Sequence, residues 1–337
     1  MAVRAATPAL RRSVAAVSSQ AMPTIRQAKP TSRPQFAPEG SPLTTAGVDA
    51  LADFIAGASG KLLCITGAGC STESGVPDYR SPEGSYSKGH KPMQHHEFVK
   101  SATSRARYWA RSLGGWRFFD SARPNVAHLA LTALERQSYV HGLVTQNVDG
   151  LHQKAGMRNV VDLHGRNDEV ECLSCHFRRP RAEFQQELEL VNASWVAEHL
   201  PPGSVADVRA DGDAHLSVED FRGFVVPPCP ACGGILKPRV VFFGGSLKSC
   251  TRDQADQLVD DSQRLLVLGS SCQVFSAFRL VKGAVEAGKP VALVSIGDTR
   301  VDKLLPEHMR FPWRCGEALM ATCKRLGVTF QLQDTVA

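Results

Sequence analysis

Two Cys-x-x-Cys pairs, Cys172/Cys175 and Cys229/Cys232, are separated by 53 residues in a chain of 337. Each pair can offer two thiolates to one tetrahedral ion, so together they close a four-sulfur zinc site and tie both ends of the intervening stretch to one point. Ribbon-type sites usually span about 15–20 residues between pairs. The longer loop here must therefore fold on itself, as a small module inserted in a larger fold. Four protein ligands leave no position for substrate, so such a zinc is structural. A redox dithiol is the alternative, but neither pair follows a first strand as a thioredoxin-like motif would. Cys64, Cys70, Cys250, Cys272, Cys315 and Cys323 have no paired spacing and read as core or solvent-facing thiols. Ten cysteines in all are too sparse for a disulfide scaffold.

Outside the module the chain alternates between short apolar runs and helix-period stretches. A helical pattern from Ala46 ends near Gly57, Lys61 to Thr66 reads as a buried strand, and Gly67-Ala68-Gly69 follows at once. A strand entering a glycine turn and then a capped helix opens a dinucleotide-binding βαβ unit. Gly142 to Thr145, Val160 to Leu163, Val240 to Phe243, Leu265 to Leu268 and Val291 to Ile296 are further strand candidates. The alternation predicts an α/β fold, a parallel sheet covered on both faces by helices. Residues 45–165 and 235–332 would form it, with 166–234 as an inserted small module.

The net charge of +6 invites a nucleic-acid reading, but its location argues otherwise. Residues 1–38 hold six Lys and Arg and no acid, which leaves 33 basic against 33 acidic residues in the remainder. An Arg-rich, Ser/Ala-rich, acid-free start is the composition of a mitochondrial transit peptide and implies a matrix protein. A disordered tail or a plastid address are the alternatives. No nucleic-acid partner is expected. No run of about 18 apolar residues is present, so no membrane span is expected either.

The absent Cβ atoms of Gly67 and Gly69 let backbone amides approach a pyrophosphate. The continuation Gly75-Val76-Pro77-Asp78-Tyr79-Arg80-Ser81 suits a mobile loop over a nicotinamide. Where a hydride-transfer enzyme carries a ribose-binding acid, about 20 residues past the turn, this chain has Gly89 and His90. Thr145-Gln146-Asn147-Val148-Asp149-Gly150-Leu151-His152 follows one strand and His164-Gly165 another, at strand ends that face the crevice of an open sheet. His164 is the general-base candidate, since a histidine exchanges protons near neutral pH. His95, His96, His128, His141 and His152 read as structural.

Taken together and in this order, these segments resemble the sirtuin family of NAD-dependent protein deacylases. The matching pieces are residues 67–81 and 145–152, His164-Gly165, the paired cysteines, Val-Val-Phe-Phe-Gly at 240–244, Gly-Ser-Ser at 269–271 and Cys315-Gly316-Glu317. They span about residues 45–330. Thr-Glu-Ser-Gly, Arg107 to Arg111, the segment 212–216 and the leader look like the class II, mitochondrial sirtuin-4-type branch. The resemblance implies a Rossmann-type doubly wound parallel-sheet domain and a small inserted zinc-ribbon domain, with NAD and an acyl-lysine entering the cleft between them from opposite sides. Gly67, Ala68, Gly69, Thr72 and the Asp78-Tyr79-Arg80 loop would hold the pyrophosphate and nicotinamide ribose. Gln146, Asn147 and Asp149 would line the nicotinamide pocket. Gly269, Ser270 and Ser271 would meet the adenosine ribose and phosphates, and Cys315 the adenine. Ser295, Ile296 and Gly297 would lie on the adenosine side, with Ser295 where the family commonly has Asn. Gly245 stands where an acid is common.

The implied reaction consumes NAD. The acyl oxygen attacks C1′ of the ribose as nicotinamide leaves, and His164 deprotonates a ribose hydroxyl that attacks the alkylimidate. Water then gives free lysine and O-acyl-ADP-ribose. Tyr108 and Arg111, three apart on one helical face, resemble a Tyr-x-x-Arg pair that binds an acyl carboxylate in the desuccinylating branch; a solvated helix arginine is the alternative. Deacylation, including lipoyl- or biotinyl-type removal, mono-ADP-ribosyl transfer and NAD sensing without efficient catalysis all remain open from sequence. The partners implied are acyl-lysine proteins, namely mitochondrial metabolic enzymes.

Overall fold

The computed structural model describes residues 38–201, 207–218 and 220–331. The transit-peptide expectation falls, apart from Pro38, outside the described residues. In chain order the strands are β1 (Leu62–Thr66), β2 (Val140–Thr145), β3 (Val160–Asp162), β4 (Gly165–Cys172), β5 (Arg178–Pro180), β6 (Leu236–Val240), β7 (Arg264–Leu268), β8 (Val291–Val294) and β9 (Arg310–Phe311). Six of them form a sheet in the order β3-β2-β1-β7-β8-β9, every pair parallel. That is the doubly wound order, in which the connection reverses between β1 and β7 and opens a crevice at their carboxyl ends.

The sequence of β1, Leu-Leu-Cys-Ile-Thr, is buried at every position, as a strand covered on both faces requires. Its side chains alternate between two cores. Leu62 and Cys64 join Leu51, Ile55, Leu131, Leu134 and Leu319 from the helices Thr45–Ala56, Val126–Arg136 and Cys315–Leu326. Leu63 and Ile65 join Leu258, Leu280 and Val281 from the helices Ser249–Asp261 and Phe275–Glu286. With both faces sealed, only the strand ends are left for chemistry.

The small module carries a second sheet, β5-β4-β6, with antiparallel pairs. Here the structure corrects two expectations. The apolar run Val240 to Phe243 is not a central parallel strand: Leu236–Val240 pairs with β4, and Phe242 turns into the small-module core. That core also reaches beyond 166–234. Phe98, Trp109 and Leu113, from the helices His95–Lys100 and Ala102–Ser121, are buried with Val170, Phe184, Trp195 and Leu236. Trp109 sits edge-on to Phe184 at 4.7 Å, and its indole N–H donates to the Leu236 carbonyl at 3.3 Å. A third difference lies after the glycine turn, where two short 3-10 turns, Ala68–Cys70 and Thr72–Ser74, replace the expected α-helix. Gly75 at φ +79° and then Pro77 end the helical path.

Candidate active site

A cleft of about 530 Å³ opens at the carboxyl ends of β1, β2 and β7 and runs out between the two sheets. Its lining brings together Gly67, Ala68, Gly69, Thr72, Asp78, Tyr79, Arg80, Gln146, Asn147, Asp149, His164, Gly269, Ser270, Ser271, Ser295, Ile296, Gly297 and Cys315. These residues come from seven separate stretches of sequence. Phe243 and Phe275 also line it and remain solvent-exposed, an aromatic edge suited to an apolar or peptide partner.

The two glycine loops touch. The Gly69 N–H donates to the Gly269 carbonyl at 2.9 Å, and a Cβ on Gly69 would stand 2.8 Å from that oxygen. Gly269 has φ +59°, and a Cβ there would meet the Cys70 nitrogen at 2.3 Å. Both positions therefore require glycine. Behind them lies a polar lattice. Asn147 Nδ2 donates to the Gly67 carbonyl and to Ser71 Oγ, both at 3.0 Å. Ser71 in turn donates to Asp149 Oδ2 at 2.7 Å, while Asp149 Oδ1 accepts from the Leu151 N–H. Burial raises the Asp149 carboxyl pKa, and these two donors hold it back only in part. Gln146 Nε2 bridges the Thr66 carbonyl and Ser270 Oγ at 3.2 and 2.7 Å, coupling β1 to the β7 loop.

His164 has both ring nitrogens engaged. Its Nδ1 lies 3.0 Å from the Gln146 carbonyl, which can only accept, so Nδ1 carries the proton. Nε2 is left as an acceptor, 2.8 Å from Ser276 Oγ. Burial lowers the His164 pKa, against a smaller upward pull from the Gln146 carbonyl. Neutral imidazole with a fixed tautomer is the form a general base needs.

The sulfur atoms of Cys172, Cys175, Cys229 and Cys232 all lie within 4.8 Å of one another, with Cys172–Cys232 at 3.6 Å and Cys175–Cys229 at 3.7 Å. A disulfide would need about 2.05 Å, whereas the edge of a tetrahedron with Zn–S bonds of about 2.3 Å is about 3.8 Å. The cluster fits a structural zinc whose four positions are all taken by protein ligands.

Tyr108 and Arg111 do not line the cleft. Tyr108 is 4% exposed, wedged between Phe98, Trp109 and Phe242, and Arg111 lies over the Phe221 ring at 5.8 Å. The cleft wall on that side is instead Phe242 with Ala210 and Asp211. Sequence reasoning also missed Glu73, whose carboxylate lines the cleft and accepts from the Gly316 N–H at 2.8 Å. It missed Ser276 as well. The signal for Glu73 was present, since it lies in the quoted glycine-turn segment, and only its partner was hidden.

Residues 67–276 match the Sir2 family. The chain belongs to that family. As a sirtuin it is 47% identical over 272 residues to an NAD-dependent protein deacetylase of Bordetella bronchiseptica, covering 81% of this chain and 96% of that one. It is 44% identical to the NAD-dependent protein deacylase Sirt4 of Drosophila melanogaster, over 86% and 90% of the two chains. It is 45% identical to the human mitochondrial NAD-dependent protein lipoamidase sirtuin-4, over 84% and 88%. A solved Sir2 structure bound to a propionylated peptide superposes with a TM-score of 0.65 at 25% identity, covering 84% of this chain and 99% of that one. A second, described as a basis for the mechanism and regulation of Sir2 enzymes, gives 0.64 at 29% identity, covering 84% and 100%. This sirtuin is an NAD-dependent protein deacylase, and sirtuins consume NAD.

Proposed function

We propose that this sirtuin deacylates lysines of mitochondrial proteins and that His164 is its general base. The observation that carries the base assignment is the tautomer: with Nδ1–H held by the Gln146 carbonyl, the accepting lone pair of this cleft-lining residue is on Nε2. There it would take the proton of a ribose hydroxyl, in the position where the Ser276 hydroxyl now donates. Gly67, Ala68, Gly69, Thr72, Asp78, Tyr79 and Arg80 would bind the pyrophosphate and the nicotinamide ribose. Gln146, Asn147 and Asp149 would enclose the nicotinamide, and Gly269, Ser270, Ser271, Ser295, Ile296, Gly297 and Cys315 would receive the adenosine. The fit rests on their convergence in one cleft and on two loops too close for any side chain at Gly69 and Gly269.

The mitochondrial assignment is supported by the acid-free, arginine-rich residues 1–38 and by the printed name of the human relative. That name also brings lipoyl-lysine forward as an acyl group to test. Mono-ADP-ribosyl transfer begins with the same bond cleavage and differs in the nucleophile that captures the ribose. Mass spectrometry of products from NAD with acetyl, glutaryl and lipoyl peptides and with protein acceptors distinguishes the two. O-acyl-ADP-ribose from wild type and none from His164→Ala is the expected result. Undiminished product from His164→Ala would remove the base assignment, and ADP-ribosylated protein as the sole product would replace the deacylase reading. Residues 1–38 fused to a reporter should carry it into mitochondria, and a cytosolic reporter would remove the address.

A further inference from the structure

Beneath the glycine turn, outside the cleft lining, three metal-ligating side chains converge from three elements, the first of them with Cys315 beside it. Cys70 closes the turn, His128 sits on the helix Val126–Arg136 and His152 on the helix Leu151–Lys154. One ring nitrogen from each histidine and the Cys70 sulfur lie within 4.8 Å of one another. All three residues are sealed from solvent, at 0%, 0% and 1% exposure, and the imidazole centroids are 4.7 Å apart.

The hydrogen bonds around the cluster leave one nitrogen of each ring over. His128 Nδ1 is held by Asn125, 2.9 Å from its Oδ1 and 3.3 Å from its backbone nitrogen, and Nε2 is left over. His152 Nε2 is held by Thr66 Oγ1 at 2.9 Å, a hydroxyl that also meets Thr145 Oγ1 at 2.9 Å, and Nδ1 is left over. His128 Nε2 and His152 Nδ1 are both buried without any hydrogen-bond partner. Buried polar atoms left unpaired cost about 1–3 kcal/mol each. Two such imidazole nitrogens beside a thiol match the donor set of a thiophilic cation, with the second ring nitrogen of each histidine already held by a neighbour, as in metal-bound imidazoles.

We infer that Cys70, His128 and His152 form a binding site for Cu(I), separate from the four-cysteine zinc site. Binding forms a Cu–S bond and two Cu–N bonds and releases one proton from the Cys70 thiol, with no change of oxidation state. Charge selects the ion: a thiolate with Cu(I) sums to zero, whereas Zn(II) would leave a net positive charge in a dry pocket. Coordination selects it too, since structural zinc takes four ligands and this cluster supplies three. The site stands apart from the deacylase reading, because none of its three side chains lines the cleft.

The test titrates zinc-loaded full-length protein with Cu(I) held by bicinchoninate, without oxygen, and in parallel with Zn(II). The protein should take one equivalent of Cu(I) without releasing zinc. Copper-edge X-ray absorption should show one sulfur and two nitrogen neighbours. Cys70→Ser should weaken binding by about 100-fold or more, and His128→Ala likewise. Exposed Cys250→Ser should bind as wild type. Cys70→Ser exchanges a single atom, so it remains informative if His128→Ala does not fold. No copper uptake, wild-type affinity in folded Cys70→Ser, zinc released in step with copper bound, or Zn(II) taken in preference to Cu(I) would each overturn the proposal.

Discussion

Ser276 Oγ lies 2.8 Å from Nε2 of His164. A protein hydroxyl thus donates to the lone pair that the proposed chemistry uses. Because that hydrogen bond favours the neutral ring, it acts in the same direction as burial, which already lowers the His164 pKa. A base works only when deprotonated, so the acid limb of kcat/KM should have its midpoint below about 6.5, the value of a free histidine. Ser276→Ala should move that midpoint upward while leaving the enzyme active. A pH–rate profile of both proteins checks this; a wild-type midpoint above 6.5 would contradict the burial argument.

Chelation should release about one zinc per chain and melt the small module, since a structural zinc contributes about 10 kcal/mol or more to folding in isolated zinc modules. Trp109 and Trp195 share the core that contains Cys172 and Cys229, so tryptophan emission should shift to the red as the metal leaves. An unchanged spectrum after complete zinc removal would show that the core does not need it.

Gly69→Ala and Gly269→Ala should each destabilise the protein by about 2–3 kcal/mol and weaken NAD binding, because both loops would have to separate. Gly283→Ala, where nothing lies within 4 Å of the new Cβ, is the matched control and should be slightly stabilising. Thermal melts and NAD titration by calorimetry measure the two effects separately.

Ser71→Ala removes one of two donors to the buried Asp149 carboxylate. The expected cost is about 1–3 kcal/mol of stability, with the Asp149 pKa rising further. The deficit should therefore shrink as pH falls and the carboxyl becomes protonated. Denaturant midpoints at two pH values would check the sign, and a deficit that grows on acidification would refute it.

The parallel sheet was legible because β1, β2, β7 and β8 are short apolar runs followed by turn residues, a pattern that survives without tertiary information. Val240 to Phe243 misled because the same apolar signature arises when Phe242 fills a neighbouring core. The strand that does form, Leu236–Val240, contains Lys237, Pro238 and Arg239 and carries no strong strand signal. β9 is two residues long, below what periodicity can detect. Cleft-lining residues were readable as motifs, yet their couplings were not. Gly316 meets Glu73 across 243 positions of chain, and His128 meets His152 from different helices. Nothing local in either segment encodes the other. Tyr108 looked functional from its spacing to Arg111, but two of the aromatic residues that enclose it, Phe98 and Phe242, lie elsewhere in the sequence.

The burial of Phe98, Trp109 and Leu113 against β4 and β6 has a consequence for engineering. The zinc-bearing unit is interleaved with its host: one part lies ahead of β2 in the chain and the other after β3. A chimaera that exchanges only residues 166–234 would seat a foreign core on the resident Trp109. Exchanging this unit between sirtuins therefore calls for carrying the helices His95–Lys100 and Ala102–Ser121 along with the zinc loop, as one discontinuous cassette.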